Sequence, residues 1–360
     1  MLIIGCDLHT RFQQIAMLDT TTGEIVTRTL QHQNGEAEAF YSDLKEKAVV
    51  GIEATGYTQW FERLLARLGH ELWVGDPAEI RARRVRRQKT DRRDADHILD
   101  LMVEGRFPRL WVPSVEERDL RQLLKHRDKL VQMQTAVKNQ LHFLAMSQGV
   151  CRKRQLWSQQ GLAQLKGLRL DPWASRRREE LLELLERLGP RIAELDQAVE
   201  QEAAKRPEAV RLRRQKGVGP VTALAFVLTL GPVERFANSR KVVSYLGLNP
   251  SEDSSGGRQR LGHISKQGNQ MLRWLLVEAG QSAARFDPEL RRKYGRLKFR
   301  RGKNVAKVAL ARQMAVRLYW LLREARWKAT RKASREASHE AIAVVPPMAT
   351  ERGAAGPHVR

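Results

Sequence analysis

Four carboxylates within the first hundred residues are spaced as a divalent-cation site would need them. Asp7 closes an apolar run that begins at Leu2, and Glu53 closes another inside GIEATGYT, so two adjacent strands would each deliver a carboxylate to one sheet edge, where ligands commonly sit. Downstream, KTDRRDAD opens a helix in which Asp91 and Asp94, three apart, project from one face. Carboxylates gathered this closely repel one another and raise each other's pKa unless cations neutralise them, which makes Mg²⁺ or Mn²⁺ the natural partner. Two such ions about 4 Å apart can activate a nucleophile and stabilise a leaving oxygen in phosphodiester chemistry. Taken singly, each acid is also at home as a solvated surface charge, and Asp91 and Asp94 also suit a helix N-terminus through its dipole. Asp96 and Asp100 are near enough to compete for the fourth position.

A second reactive stretch is VVSYLGLNPSEDSSGGRQRLGHISKQGNQMLRWLL. Here Ser254 and Ser255 precede Gly256 and Gly257, and Arg258, Arg260, His263 and Lys266 follow. A serine between flexible glycines and cations could attack a phosphodiester, because the cations would stabilise both its alkoxide and the phosphorane-like transition state. The alternative is a polar surface loop. Upstream, QKGVGPVTALAFVLTLG places Gly217 and Gly219 around a tight turn, with Pro220 at a first helical position. It resembles a helix-hairpin-helix, whose exposed N–H groups hold a phosphate backbone; a plain turn is the alternative.

Elements must position these residues. Apolar runs at 2–6, 12–19 and 24–30, separated by polar turns, predict three strands in meander order; a helix at 35–46, a strand at 49–53, a helix at 57–68 and a strand at 72–74 follow. That is an α/β layer fold. From Ser114 the pattern changes: Leu123, Leu130, Val137 and Leu144 recur every seven residues in one long segment, and Leu181, Leu185, Leu188, Ile192, Leu195 and Val199 step by fours and threes in another. These are two coiled-coil arms, paired either as an antiparallel hairpin or between subunits. A third region runs from Pro207 as short helices and Gly-marked loops. Residues 1–113, 114–206 and 207–329 are the expected domains, with 330–360 a disordered tail around Pro346-Pro347.

Composition limits the function. Sixty-five Lys and Arg against forty-one Asp and Glu give a net charge of +24, and a polyanionic partner is the simplest reason. Basic runs in RARRVRRQK, SRRRE and KYGRLKFRRGKN could grip nucleic-acid backbones, and solvated helix faces explain each run singly. Without an eighteen-residue apolar run or a signal peptide, a soluble cytoplasmic protein with no membrane partner is expected. Cys6 and Cys151 are too few and too far apart for a disulfide framework or a zinc site, and read as reduced, buried thiols.

The ordered set of GCD, GIEATG and KTDRRDAD resembles the DEDD transposases of bacterial insertion sequences. Their N-terminal domain is like the Holliday-junction resolvase RuvC, with a ribonuclease H fold. Carried over residue by residue, the four family acids fall on Asp7, Glu53, Asp91 and Asp94. The SSGG stretch is similar to the second region of these transposases, in which a serine followed by glycine becomes covalently joined to DNA. Ser255 is the matching position, with Ser254 one residue away. The resemblance implies a mostly helical C-terminal domain that brings Ser255 to the acidic site, and a homo-oligomer, dimer or tetramer, acting on donor and target DNA at the nucleoid. It also implies a structured RNA, transcribed from the element, that pairs with both DNAs. A junction-resolving, metal-dependent nuclease and a non-enzymatic nucleic-acid binder are the rival readings.

Overall fold

A computed structural model describes residues 1–84, 90–151 and 155–343, the stretch 325–343 as backbone alone. The chain divides into two compact units, Met1–Val112 and Pro113–Arg360.

The first unit contains β1 (Leu2–Leu8), β2 (Phe12–Asp19), β3 (Ile25–Gln31), α1 (Glu36–Ser42), β4 (Ala48–Glu53), α2 (Gln59–Arg67), β5 (Glu71–Gly75), α3 (Pro77–Ala82) and α4 (Asp91–Val103). The strands form one mixed sheet in the order β3-β2-β1-β4-β5, with β1, β2 and β3 antiparallel and β4 and β5 parallel to β1. Both faces are covered. On one, Ile4, Cys6, Leu8, Val50 and Ile52 pack with Tyr41 of α1 and Phe61 and Leu65 of α2. The other carries α4.

That second contact is unusually close. A Cβ built on Gly5 would lie 2.3 Å from the Ala95 carbonyl oxygen and 2.4 Å from the Leu99 nitrogen, and one on Gly51 would lie 2.2 Å from the Met102 sulfur. Gly5 and Gly51 are register partners on β1 and β4, so the helix lies on a bare stripe of two strands. Side chains two apart share a strand face, and Asp7 and Glu53 therefore follow these glycines on the face that α4 covers.

The alternation of apolar residues foretells the strands well, but the elements differ in extent. β1 runs on to Leu8, and the helix expected at 35–46 stops at Ser42, since Leu44 turns in against the sheet core. Helix α3 was not foreseen, although its signal is present: Pro77 stands at its first turn, and Asp76 caps it by accepting from the Ala78 and Glu79 amides at 2.8 and 3.1 Å.

The second unit opens with α5 (Val115–Ser147), capped by a reciprocal Ser114–Glu117 pair, then α6 (Gln159–Lys166) and α7 (Pro172–Ala204). The two long helices run antiparallel within the chain, which decides between the two pairings that the heptads left open. Glu116 meets Arg206, Arg127 meets Asp196 at 2.8 Å, and Gln140 meets Arg177 at 2.9 Å. Val137, Leu141, Leu144, Leu182, Leu188 and Ile192 form the seam at one end. At the other end Leu120, Leu124, Val199 and Ala203 join a different core, that of the C-terminal helices.

Those helices are α8 (Pro207–Leu212), α9 (Pro220–Leu230), α10 (Ser239–Tyr245), α11 (Gln270–Phe286), α12 (Pro288–Arg301) and α13 (Lys303–Ala343). A two-stranded hairpin, β6 (Pro250–Glu252) and β7 (Leu261–Ile264), lies between α10 and α11 and was not expected from sequence. Helix α13 is long where short helices were expected, and its backbone continues to Ala343, past the start of the expected tail; alanine with Lys, Arg and Glu is favourable helix composition. Residues 344–360 of that tail, and 85–89 of the basic run RARRVRRQK, lie outside the described residues. Cys6 is buried, but Cys151 is exposed, contrary to expectation, because it follows the end of α5 in a connecting turn. Among the described residues no helix is long and apolar enough to cross a membrane.

The glycine crossing generates a prediction. Gly5→Ala should lower stability by about 1–3 kcal/mol through overpacking against helix backbone. Gly56→Ala, where a Cβ meets nothing within 4 Å, should leave stability close to wild type. Urea unfolding of the two variants measures the difference.

Candidate active site

Asp7 occupies the penultimate position of β1, and Glu53 the last of β4. The parallel register pairs Cys6 with Ile52, so Asp7 and Glu53 each stand one residue beyond that pair on adjacent strands. The Tyr57 hydroxyl donates to the Leu8 carbonyl at 3.2 Å and ties the loop after β4 to the end of β1.

Helix α4 brings the other two acids. Thr90 caps it, accepting from the Arg93 amide at 3.3 Å, and Asp91 and Asp94 lie in its first turn, where the helix dipole favours negative charge. Because the helix rests on Gly5, its first turn comes close to Asp7. His9, two residues beyond Asp7, bridges the acids: its Nε2 is 3.1 Å from Asp7 Oδ2 and 3.6 Å from Asp91 Oδ1. One ligand atom from each of Asp7, His9 and Asp91 lies within 4.8 Å of the others.

Asp94 is buried and lies 2.6 Å from the Arg84 guanidinium. Its charge nonetheless acts on Asp7. Burial raises the Asp7 pKa above the ordinary carboxylate range; His9 opposes this, and Asp94 and Asp91 add to it. Asp96 belongs elsewhere. Its pKa is raised by burial, lowered by Arg92 and raised by Asp100, so the charges around it are not those around Asp7.

The structure thus brings Asp7 and Asp91 together, sets Asp94 beside them on an arginine, and leaves Glu53 at the neighbouring strand end, outside the close trio. Sequence reading missed two members. His9 drew no reading, and its only signal was its place two residues after Asp7, just beyond the end of β1; Arg84 was read as part of a backbone-gripping run, whereas it pairs with Asp94.

In the second unit the serine stretch forms the tip of the β6–β7 hairpin. The Arg258 amide donates to the Ser255 carbonyl at 3.1 Å across Gly256 and Gly257, whose φ values are 57° and 75°. Two consecutive positive φ values make the primed turn that suits a hairpin, so the glycine pair is required by the turn itself. Ser254 is tied down: its hydroxyl donates to Glu252 at 2.7 Å and accepts from the Arg260 amide at 3.0 Å. The Ser255 hydroxyl has no hydrogen bond among the described residues and is exposed, as are Arg258 and Arg260.

The hairpin's base is anchored. Ser265 bonds to Asn249 through both its amide and its hydroxyl, and Lys266, at φ 55°, donates its amide to the Gly247 carbonyl. A non-glycine residue there is strained and held by its surroundings.

Gly217 and Gly219 separate α8 from α9 and have different reasons to be glycine. Gly217 has φ 87°, and a Cβ on it would lie 2.4 Å from the Ala279 carbonyl oxygen of α11. Close packing therefore explains it. Gly219 is exposed at the N-terminus of α9, with open space about it.

A mixed α/β unit that brings Asp7 at a strand end, His9 and Asp91 of α4 together, on a chain of net charge +24, fits an acidic site that works on a polyanion. Comparison with known proteins makes that specific. A model of DEDD transposases of the IS110 type matches residues 4–145, and one for the transposase IS116/IS110/IS902 family matches residues 209–295. A probable family 20 transposase of Pseudomonas aeruginosa is 29% identical over 89% of this chain and 96% of its own length. The transposase for insertion sequence element IS1111A of Coxiella burnetii is 28% identical over 89% of each chain, and that for IS1328 of Yersinia enterocolitica 27% identical over 76% of this chain and 83% of its own. The chain belongs to the DEDD transposases of the IS110/IS116 family, enzymes that act on DNA.

The raised pKa of Asp7 has a consequence for stability. A carboxyl whose folded pKa lies above its unfolded value contributes stability that is complete below the unfolded value and is lost as pH rises through the folded one. In metal-free buffer at pH 8, Asp7→Asn should therefore be at least as stable as wild type, an advantage that disappears toward pH 4. Saturating Mg²⁺ should then stabilise wild type, by about 2.7 kcal/mol at a hundred times Kd, and the variant much less. Melting curves with EDTA and with MgCl₂ measure both.

Proposed function

We propose that this transposase cuts and rejoins DNA with a divalent-metal site held by Asp7, Glu53, Asp91 and Asp94, and with Ser255 as nucleophile. The observation that carries the first half is the approach of Asp91 to Asp7 across the bare glycines, with the Asp7 pKa raised by burial and by its acidic neighbours. Oxygen donors of this kind suit Mg²⁺ or Mn²⁺, and a cation there would relieve the repulsion. The sheet order, an antiparallel β1–β3 meander continued by parallel β4 and β5, supports a ribonuclease H-like reading of this unit.

Metal at the acidic site would polarise a scissile phosphate and offset charge that develops on it. The protein's own groups do the rest. His9 orients Asp7 and Asp91, and Arg84 holds Asp94 in place by an ion pair that Asp94 would have to leave to serve as a ligand. The Ser255 oxygen gives up its proton and bonds to phosphorus; the bond from phosphorus to one deoxyribose oxygen breaks, and that oxygen leaves as a hydroxyl with a proton from solvent. Arg258, Arg260 and Lys266 neutralise the phosphate through the transition state. A hydroxyl of the second strand then attacks the phosphoserine and releases the serine. Ser255 is favoured over Ser254 because its hydroxyl carries no competing bond among the described residues.

The amides beside Gly219, at an exposed helix N-terminus, would hold a backbone phosphate, with Gly217 setting the turn. Strand exchange handles two DNA ends and calls for at least a dimer, with a tetramer as the form the family resemblance implies. The same resemblance makes an element-encoded RNA the selector of target and donor, and the excess positive charge is available to both nucleic acids.

The test is to incubate protein, RNA from the element and labelled donor DNA with Mg²⁺ and to look for a denaturation-resistant protein–DNA adduct. Wild type and Ser254→Ala should form it. Ser255→Ala should lose it entirely, and Asp7→Asn should lose it by about a hundredfold or more. Free cleaved DNA from Ser255→Ala at the wild-type rate would establish water as the nucleophile and end the serine mechanism. Undiminished adduct without RNA would remove the guide.

A further inference from the structure

The cations of this chain fall into two kinds. On α7, Arg176, Arg187, Arg191 and Lys205 each face a glutamate three or four residues away, at 2.8, 2.5, 3.3 and 2.5 Å. That surface neutralises itself. Helix α12 does not. Its sequence, PELRRKYGRLKFRR, holds one acid, Glu289, and Arg317 of α13 already occupies it at 2.8 Å. Arg292, Lys293, Arg296, Lys298, Arg300 and Arg301 have no carboxylate partner among the described residues.

The arrangement on the helix is as informative as the number. Arg292, Arg296, Phe299 and Arg300 stand at i, i+4, i+7 and i+8, which is a single stripe along one face. All four are exposed, and Phe299 is 93% exposed, the most open of the large apolar side chains among the described residues. Leu290, on the opposite side, is buried in the core with Tyr294 packed beside it, so the stripe points away from the fold. The helix is also fixed at its start. Asp287 caps it and accepts from Arg317 at 2.6 Å, and Arg291 bonds back to the Ala284 carbonyl at 3.3 Å. A rigid helix that presents uncompensated arginines around one bare aromatic ring is costly as solvent-facing surface, because like charges repel and the ring stays wet.

We propose that α12 docks in the major groove of duplex DNA, with the arginines of the stripe on flanking phosphates and the Phe299 ring against thymine methyl groups. From Arg292 to Arg300 the stripe spans eight helical steps, about 12 Å, which is about the width of that groove. A helix enters the B-form major groove but not the deep, narrow major groove of A-form RNA, and this makes DNA the partner. The proposal rests on the chain acting on DNA and does not depend on the acidic site or on Ser255.

Binding by the full-length protein is measured in EDTA by fluorescence anisotropy, against a thymine-rich DNA duplex of about thirty base pairs, the same duplex with uracil for thymine, an RNA duplex and a single strand. The triple variant Arg292→Gln, Arg296→Gln, Arg300→Gln should lose about 0.9 of salt slope per contact, roughly 2.7 in all, on DNA duplex alone. Phe299→Ala should keep the slope, bind the thymine duplex about tenfold more weakly, and no longer distinguish thymine from uracil. Both variants should melt as wild type does, since every substituted side chain is exposed. An unchanged slope in the triple variant overturns the proposal, and so does an equal loss on RNA or on the single strand. Because no metal and no cleavage enter the measurement, a failure here leaves the strand-transfer reading untouched, and a missing adduct in that assay leaves this one untouched.

Discussion

Helix α4 reaches the ends of β1 and β4 because Gly5 and Gly51 present nothing for it to rest on except backbone. The approach of Asp91 and Asp94 to Asp7 follows from that contact. With any side chain at Gly5 the helix would have to lift from the sheet, and its first turn, which carries Asp91 and Asp94, would lift with it. A strand places its residues alternately on two faces, so the same alternation that removes a side chain at Gly5 aims Asp7 at the helix. The short motifs GCD and GIE therefore share one layout: a bare position that admits the helix, then, two residues on, an acid on the same strand face, of which Asp7 reaches the first turn of α4 and Glu53 stays at the neighbouring strand end.

Gathering acids has a cost, and the local charges reveal how the protein meets it. His9 lies between Asp7 and Asp91, and Arg84 faces Asp94, so each acid that α4 brings in has a histidine or an arginine beside it. Compensation is incomplete at Asp7, whose carboxyl still prefers its proton more than an ordinary aspartate does. A site built for stability alone would complete the neutralisation with a second arginine. A buried carboxylate left underserved in this way favours an added cation, and on the proposed mechanism that preference would link the packing at Gly5 to phosphodiester chemistry.

How far the sequence discloses this depends on whether the signal is local. Strand alternation, the heptads of α5 and α7, and the three-residue spacing of Asp91 and Asp94 are local, and each is legible. The pairing of Arg84 with Asp94 crosses residues that carry no periodicity, and nothing in RARRVRRQK marks one arginine as different from the rest. The β6–β7 hairpin was hidden for another reason. Its strands are short and exposed, so they lack the apolar alternation by which strands are recognised, and only the glycine pair at the turn pointed to it. The antiparallel sense of the α5–α7 pair was undetermined because leucine heptads serve either partner. Single polar contacts such as Arg127 with Asp196 match the antiparallel sense that the chain adopts.

The second unit shows how a hairpin and a reactive loop come to share one framework. One end of the α5–α7 pair closes on its own leucines, while Leu120, Leu124, Val199 and Ala203 at the other end are built into the core that also contains α9, α11 and α13. The long arms are therefore extensions of the C-terminal core. The same core anchors the serine hairpin through Gly247, Asn249 and Lys266, yet leaves its tip without packing. A serine on an anchored stem with an unencumbered end can meet a phosphate from many directions without disturbing the helices that support it. That division suits the proposed role of Ser255, in which it would first take hold of one strand and then be released by another.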